Sequence, residues 1–502
     1  MRKLIYTRIL PIIGVLLLGW GGTLIIENLE PDKEVAKKQP KRSGQENAVS
    51  AAGDGSALTA RQSPPESSSE SLPGPSQQSA IPNIAPNLAP QIQPKASTSE
   101  NEAIPSFSRN GEQTADATYN PDKDFAQSQI LVLEPSKDFA ARAAKLGYQI
   151  IEQLNLDALG VTALRVRVPS GMKTDEALES LSNKFPDLIM DFDHNFEPSQ
   201  DQSRPRSPRR RRETDQRPSA LEQMAVRKAG KLSRARKSIG WENLPDTCGT
   251  GLRIGMIDTA VDKTHPALIG QRLTTRVTHD PRARSGPAEH GTSIAAMFIG
   301  KPGPEGWGGL VPGAELMAAN IFEVAASGKS LGRASSLLKG INWLARKKVD
   351  VVNIGLTGAN NKTVRKAMFI AKNNGMIVVA AAGNRGWKKR RAYPAGYTDI
   401  ISVTAVGPYR GVMKNANRGN YIDFAAPGVR IWTAVPGGGK YKSGSSYATT
   451  YITTLIGLEI LHGRRRNPAS LRDILSKEII DLGKPGRDDI YGWGFIRKYP
   501  KC

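Results

Sequence analysis

The second half of this 502-residue chain predicts a parallel α/β sheet with helices on both faces, and three observations carry that prediction. First, strand-length apolar runs recur: Gly251 to Ile257, Leu316 to Ile321, Val349 to Ile354, Met376 to Ala382 and Ile400 to Val406. Strands covered on both faces read as near-continuous runs of this kind. Second, helical stretches lie between them. Leu331 to Lys347 places Leu337, Leu338, Ile341 and Leu344 on one face, and Thr363 to Asn373 follows. That alternation is the signature of a parallel sheet. Third, the polar residues Asp258 and Asn384 close two of the runs, at the carboxyl ends of strands, where such sheets bind ligands.

Ahead of this region a smaller unit is legible. Gln129 to Leu133 reads as a strand. Ser136 is expected to cap a helix through Leu146 that Gly147 stops, with Phe139, Ala143 and Leu146 on one face. Tyr148 to Leu154 and Ala163 to Val168 read as strands. Thr174 is expected to cap a second helix through Phe185, with Ala177, Leu178 and Leu181 inward, and Leu188 to Phe192 reads as the last strand. The order βαββαβ is the split, ferredoxin-like α+β unit, placed at residues 123–198. An unrelated small module is the competing reading, because fold does not fix function.

The remaining segments are compositional. Arg2, Lys3 and Arg8 precede an apolar run from Ile9 to Ile26. Positive charge on that side predicts a cytoplasmic N-terminus and an exported remainder. The length of the run and the missing Ala-x-Ala site favour an uncleaved anchor over a cleaved signal peptide within residues 1–30; both stay open. Residues 31–122 are rich in Pro, Ser and Gln and nearly free of aromatics, so they predict a disordered tether. Much of the net charge of +23 sits in a basic linker, residues 199–240, with Arg209 to Arg212 in a row. A solvated linker open to proteolysis and a contact with anionic lipid both fit it. Nucleic acid is not expected as a partner, since no binding motif or interleaved aromatics accompany the charge.

Chemistry concentrates at residues 241–502. Tyr441-Lys-Ser-Gly-Ser-Ser446-Tyr-Ala-Thr delivers a serine to the start of an apolar helix. A serine is a weak nucleophile until a base takes its proton. His290, in His-Gly-Thr-Ser, opens another apolar helix; Asp258 stands in Ile-Asp-Thr-Ala-Val-Asp; Asn384 closes Ala-Ala-Gly-Asn. These four motifs, in the order Asp, His, Asn, Ser, resemble the subtilisin-like serine proteases (subtilases) over about half the chain.

The resemblance implies a subtilisin-like fold and a serine endopeptidase with Asp258, His290 and Ser446 as its triad. It assigns Asn384 to the oxyanion. It places Gly355, Leu356, Thr357 and Gly358 along the substrate backbone, and Ala381, Ala382 and Gly383 on the opposite wall. It implies that the small unit is an inhibitory prodomain, that the chain cuts itself between Phe196 and Gly240, and that no metal or organic cofactor takes part. Expected partners are a peptide or protein substrate, the chain's own prodomain, and the membrane through the N-terminal segment. The alternative is a pseudoprotease that binds peptides without turnover. The chain departs from the family at four places: Gly355 stands where serine is usual, Thr357 where glycine is usual, Ser293 where histidine is usual, and Thr450 where proline is usual. Thr357 is expected to narrow the specificity pocket toward small residues.

Only two cysteines occur, Cys248 and Cys502. An even count, export and their placement at the two ends of the region predict a disulfide; two free thiols are the alternative.

Overall fold

The computed structural model describes residues 125–199, 234–303, 305–325 and 328–502. The apolar run from Ile9 to Ile26, the 31–122 tether and residues 200–233 of the basic linker lie outside the described residues. Among the described residues no helix is long and apolar enough to cross a membrane.

The described chain opens with β1 (Phe125–Leu133), α1 (Phe139–Lys145), β2 (Gln149–Leu156), β3 (Val161–Arg167), α2 (Thr174–Lys184) and β4 (Ile189–Pro198). The strands pair antiparallel in the order β2-β3-β1-β4. Alternation along β1 sorts the core. Ile130 and Val132 pack under the helices with Phe139, Ala143, Ala177 and Leu181. Leu131 and Leu133 face the other way, into the larger unit.

Both expected helix caps are corrected. Ser136 spends its hydroxyl on the Asp138 carboxylate (2.7 Å), and α1 starts only at Phe139. Thr174 lies inside α2 as its first residue, and its oxygen accepts from the Ser128 backbone N–H (3.0 Å). A side-chain oxygen engaged by a neighbouring strand is not available to cap its own helix.

The larger unit follows. Its elements are β5 (Arg253–Asp258), β6 (Leu273–Val277), α3 (Glu289–Ile299), β7 (Glu315–Asn320), β8 (Phe322–Val324), β9 (Ser330–Arg333), α4 (Ala334–Arg346), β10 (Val351–Ile354), β11 (Leu356–Gly358), α5 (Lys362–Asn373), β12 (Ile377–Ala381), β13 (Ile401–Val406), β14 (Phe424–Pro427), the hairpin β15 (Ile431–Val435) and β16 (Gly438–Lys442), α6 (Ser445–Leu461), α7 (Pro468–Ser476), β17 (Ile479–Ile480) and β18 (Phe495–Ile496).

Nine strands form one sheet in the order β17-β18-β14-β13-β12-β10-β5-β7-β6, parallel except between β17 and β18. Its two faces are both apolar. Ile254, Met256, Leu316 and Ala318 pack with Ile294, Phe298, Tyr451 and Leu455 of α3 and α6. Ile257, Met317, Val352 and Val378 pack with Leu337, Leu338, Ile341, Val364 and Met368 of α4 and α5. Each fully buried aliphatic side chain contributes about 1.5 to 3 kcal/mol of transfer free energy.

The expected helix from Leu331 is corrected, since Ser330–Arg333 is strand β9. The cause is tertiary. Both β9 and β11 pair with the second half of β4, which overruns its expected end at Phe192 and continues to Pro198. The small unit's sheet thus runs into the larger one. Two β4 carboxylates seal the junction at helix starts. Asp193 accepts from the Ser335 N–H and hydroxyl (both 2.8 Å), and Asp191 accepts from the Lys362 N–H (2.7 Å). The first N–H groups of a helix have no partner within it, so these carboxylates supply one. Lys339 of α4 adds a bond to Glu152 of β2 (2.6 Å).

Candidate active site

The parallel sheet sets the frame. Asp258 is the last residue of β5, where the strand ends buried; it is 1% exposed. Its Oδ1 accepts from the Thr259 N–H (2.7 Å), which turns the carboxylate toward α3. His290, in the first turn of α3, brings Nδ1 to 2.6 Å from that same oxygen. An imidazole that donates from Nδ1 to a carboxylate presents Nε2 as an acceptor. Nε2 lies 2.8 Å from Ser446 Oγ, in the first turn of α6.

Small residues make this approach possible. A Cβ on Gly291 would fall 2.4 Å from the Ala260 carbonyl oxygen, so only glycine lets α3 come this close to β5. Tyr447, fully buried, lays its ring edge-on to His290 at 5.6 Å between centroids. Burial drives its hydroxyl far above the usual tyrosine range, so it stays protonated.

Asn384 joins the group from the loop after β12. Its Oδ1 accepts from the Ser445 N–H (3.0 Å), which orients Nδ2 outward. The Gly383 N–H donates to Ser445 Oγ (3.1 Å), tying the same loop to the helix start. The wall behind is rigid. The Ala382 carbonyl accepts from Tyr421 Oη (2.8 Å) and Asn417 Nδ2 (3.0 Å). Burial lifts the Tyr421 hydroxyl to about 12, which keeps it a donor.

The site is filled by the chain itself. The end of β4 pairs antiparallel with β11: Phe196 faces Gly358, Glu197 faces Thr357 and Pro198 faces Leu356. Ser199 continues the ladder, its N–H donating to the Gly355 carbonyl (2.8 Å). The Ser199 carbonyl oxygen lies 2.8 Å from Ser446 Oγ and accepts from Asn384 Nδ2 at 2.6 Å.

Each of the four departures from the subtilase pattern has a defined place in the structure. A Cβ at Gly355 would stand 2.5 Å from Asp258 Oδ2, so a serine there would have to displace the carboxylate. Ser293 turns its hydroxyl into the α3 backbone at the His290 carbonyl (2.8 Å), and Thr450 does the same at Tyr447 (2.7 Å). Thr357 faces the bound strand, its Oγ1 3.5 Å from Ser199 Oγ, and its Cγ2 lies 3.3 Å from where a Gly383 Cβ would be. Thr357 and Gly383 therefore flank one narrow slot, with Ala381 and Ala382 buried behind it.

Sequence reasoning did not single out Ser199, Glu197 or Arg385. The prodomain resemblance does imply an extended tail after Phe196 in the groove beside Gly355 to Gly358, and the structure has that tail on β11. Cys248 and Cys502 are joined, with an S–S distance of 1.98 Å and a separation of 254 positions along the chain. Among the described residues no three His, Cys, Asp or Glu side chains converge as metal ligands would.

Residues 249–494 match the model of the subtilase family. The minor extracellular protease Epr of Bacillus subtilis (strain 168) is 30% identical over 257 residues, 50% of this chain and 38% of that protein. The intracellular serine protease of Paenibacillus polymyxa is 30% identical over 224 residues, 42% of this chain and 67% of that protein. The chain thus spans under half of the first relative and two thirds of the second. The crystal structure of fervidolysin from Fervidobacterium pennivorans superposes with a TM-score of 0.58 at 21% identity, over 76% of this chain and 61% of that one. At that identity the likeness is one of fold.

Proposed function

The chain belongs to the subtilase family, and from that premise we propose that it is a serine endopeptidase whose first substrate is its own Ser199–Gln200 bond. The observation that carries the reading is the Ser199 carbonyl oxygen, held between Asn384 Nδ2 and Ser446 Oγ.

The chemistry follows from the geometry. His290 Nε2 takes the Ser446 proton as Oγ attacks the Ser199 carbonyl carbon. Asp258 fixes the imidazole tautomer and stabilises the imidazolium. Negative charge developing on the carbonyl oxygen falls on the Asn384 amide and on the start of α6, whose first N–H groups lack helical acceptors. His290 then returns the proton to the departing amine of Gln200, and water releases the acyl group by the reverse sequence. The residue before the cut is small because Thr357 narrows the slot. Foreign substrates bind as Phe196 to Ser199 do, as an added strand on β11.

The small unit inhibits for the same reason it is cut. After cleavage its strand still occupies β11, and its carboxylates still hold α4 and α5. The N-terminal charge pattern supports export, with Ile9 to Ile26 as the anchor or signal.

The test is to express the full chain beside Ser446→Ala. The wild-type protein is expected to yield a new N-terminus at Gln200 and to label at Ser446 with a fluorophosphonate, while the variant stays uncut. A folded wild-type protein that neither labels nor cuts would instead be a pseudoprotease that binds peptides.

A further inference from the structure

Arg385 follows Asn384 directly and takes no part in the proton transfers above. Its backbone is fixed, because Asn417 Oδ1 accepts from the N–H groups of both Arg385 (3.0 Å) and Trp387 (3.1 Å). Its guanidinium stands 5.6 Å from the Trp387 ring centroid, and Arg390 stacks on the same ring at 4.3 Å. The Arg385 guanidinium binds the Glu197 carboxylate. Glu197 faces Thr357 in the added strand, which makes it the third residue before the Ser199–Gln200 bond. Alternate side chains of a strand share a face. Ser199 therefore meets the Thr357 slot, and Glu197, two residues earlier on that face, meets Arg385.

The surroundings reinforce that charge. Arg385-Gly-Trp-Lys-Lys-Arg-Arg391 contains five basic residues and no acid, and Lys388 and Lys389 are exposed. A carboxylate approaching this end of the groove meets a positive field before it meets the guanidinium.

We propose that Arg385 is a specificity-determining residue that selects peptides carrying a carboxylate at the third position before the scissile bond. The proposal rests on the peptidase reading. It assigns a substrate class to that groove: acidic, extended segments with a small residue at the cut. The pair is half-exposed, with Arg385 at 49% and Glu197 at 41%. A solvent-facing pair of this kind gives a preference of about threefold to fivefold rather than an absolute requirement. The arginine fork suits a carboxylate better than a lysine would.

The experiment uses the self-processed enzyme separated from its cleaved small unit, with active sites counted by fluorophosphonate, and peptides Phe-Xaa-Pro-Ser-Gln-Asp in which Xaa is Glu, Gln or Lys. These peptides lack the small unit, so a preference among them belongs to the groove. The expected kcat/KM order is Glu over Gln over Lys, with about fivefold between the first two. The differences should shrink in about 1 M NaCl, where the Debye length is about 3 Å. Arg385→Glu should reverse the order, and Arg385→Lys should keep it with smaller gaps. Labelled wild-type enzyme that is indifferent to Xaa, or a preference for Glu that persists undiminished in high salt, overturns this proposal alone. A labelled Arg385→Glu enzyme that still prefers Glu does the same. A protein that takes no label overturns the peptidase reading and this proposal with it.

Discussion

Asn384 performs two tasks with one side chain, and they are separable. Its Oδ1 holds the Ser445 N–H, and its Nδ2 holds the carbonyl oxygen of the bound strand. On the proposed peptidase reading, only the second strengthens as charge develops on that oxygen, so it is the one assigned to lowering the barrier. Asn384→Ala is expected to lower kcat by about a hundredfold to a thousandfold, with KM changed far less, in steady-state peptide hydrolysis. A drop carried mainly by KM would mean that the residue serves the helix start instead. At this scale the sequence was legible wherever chemistry restricts the residue type. Asp258, His290, Asn384 and Ser446 each sit in a short motif, and the fold brings all four together. Arg385 was not legible, because an arginine in a basic loop looks like solvated charge until a carboxylate is placed beside it.

Among the elements, β4 departs most from its sequence signal. Apolar alternation marks it as far as Phe192, and the polar stretch from Asp193 to Pro198 carries no strand signal of its own. Its partners β9 and β11 are short, four and three residues, and carry little pattern of their own. Pairing of that kind is decided by the tertiary surface, which no local window contains. The doubly covered strands β5, β10, β12 and β13 were legible for the opposite reason, since burial on both faces leaves mostly apolar side chains. The β4 carboxylates turn this pairing into docking. Asp193 is fully buried against Ser335, with Arg165 at 3.4 Å. Removing it leaves a helix N–H and an arginine without that partner, at a cost of about 1 to 3 kcal/mol. Asp193→Ala is expected to shorten the lag before peptidase activity appears in freshly folded protein. An unchanged lag would show that the strand ladder alone sets docking.

Across the whole molecule, the contact between the two units carries titratable charge, and its sign can be worked out. Burial raises the Glu152 carboxyl, but its bonds with Lys339 and Arg165 outweigh that and hold it below its ordinary value. A depressed carboxylate stabilises the docked state above its unperturbed pKa, and that contribution is lost as pH falls through the depressed value. Asp191 runs the other way: burial raises it despite the opposing charge of His194, so its ionisation costs docking near neutrality and protonation relieves that cost. The Glu152 contribution therefore fades only below the ordinary carboxylate range, about pH 4. After self-cleavage, the fraction of enzyme inhibited is expected to fall as pH drops below about 4, and Glu152→Gln should remove about fivefold of inhibition at pH 6. Inhibition by Glu152→Gln that matches wild type at pH 6 would exclude this pair as a docking term.

The unbroken course of β4 makes the molecule a measuring device. One end of the strand is clamped in register to β1, and the other is clamped to β11. On the proposed self-cleavage, the bond offered to Ser446 is chosen by counting residues from a fixed anchor, much as a ruler locates a mark. Lengthening the chain beyond the mark changes nothing: two residues inserted after Gln200 should leave the cut behind Ser199. Adding one residue between Phe192 and Phe196 slips the scale by a single division, which turns every later side chain to the opposite face. Phe196 would then point away from Gly358, and self-cleavage should slow by about tenfold or more or move to a neighbouring bond. Mass spectrometry of the released fragment reads the result directly, and an unshifted, full-rate cut in the one-residue insertion would show that the site reads the local sequence and not the distance.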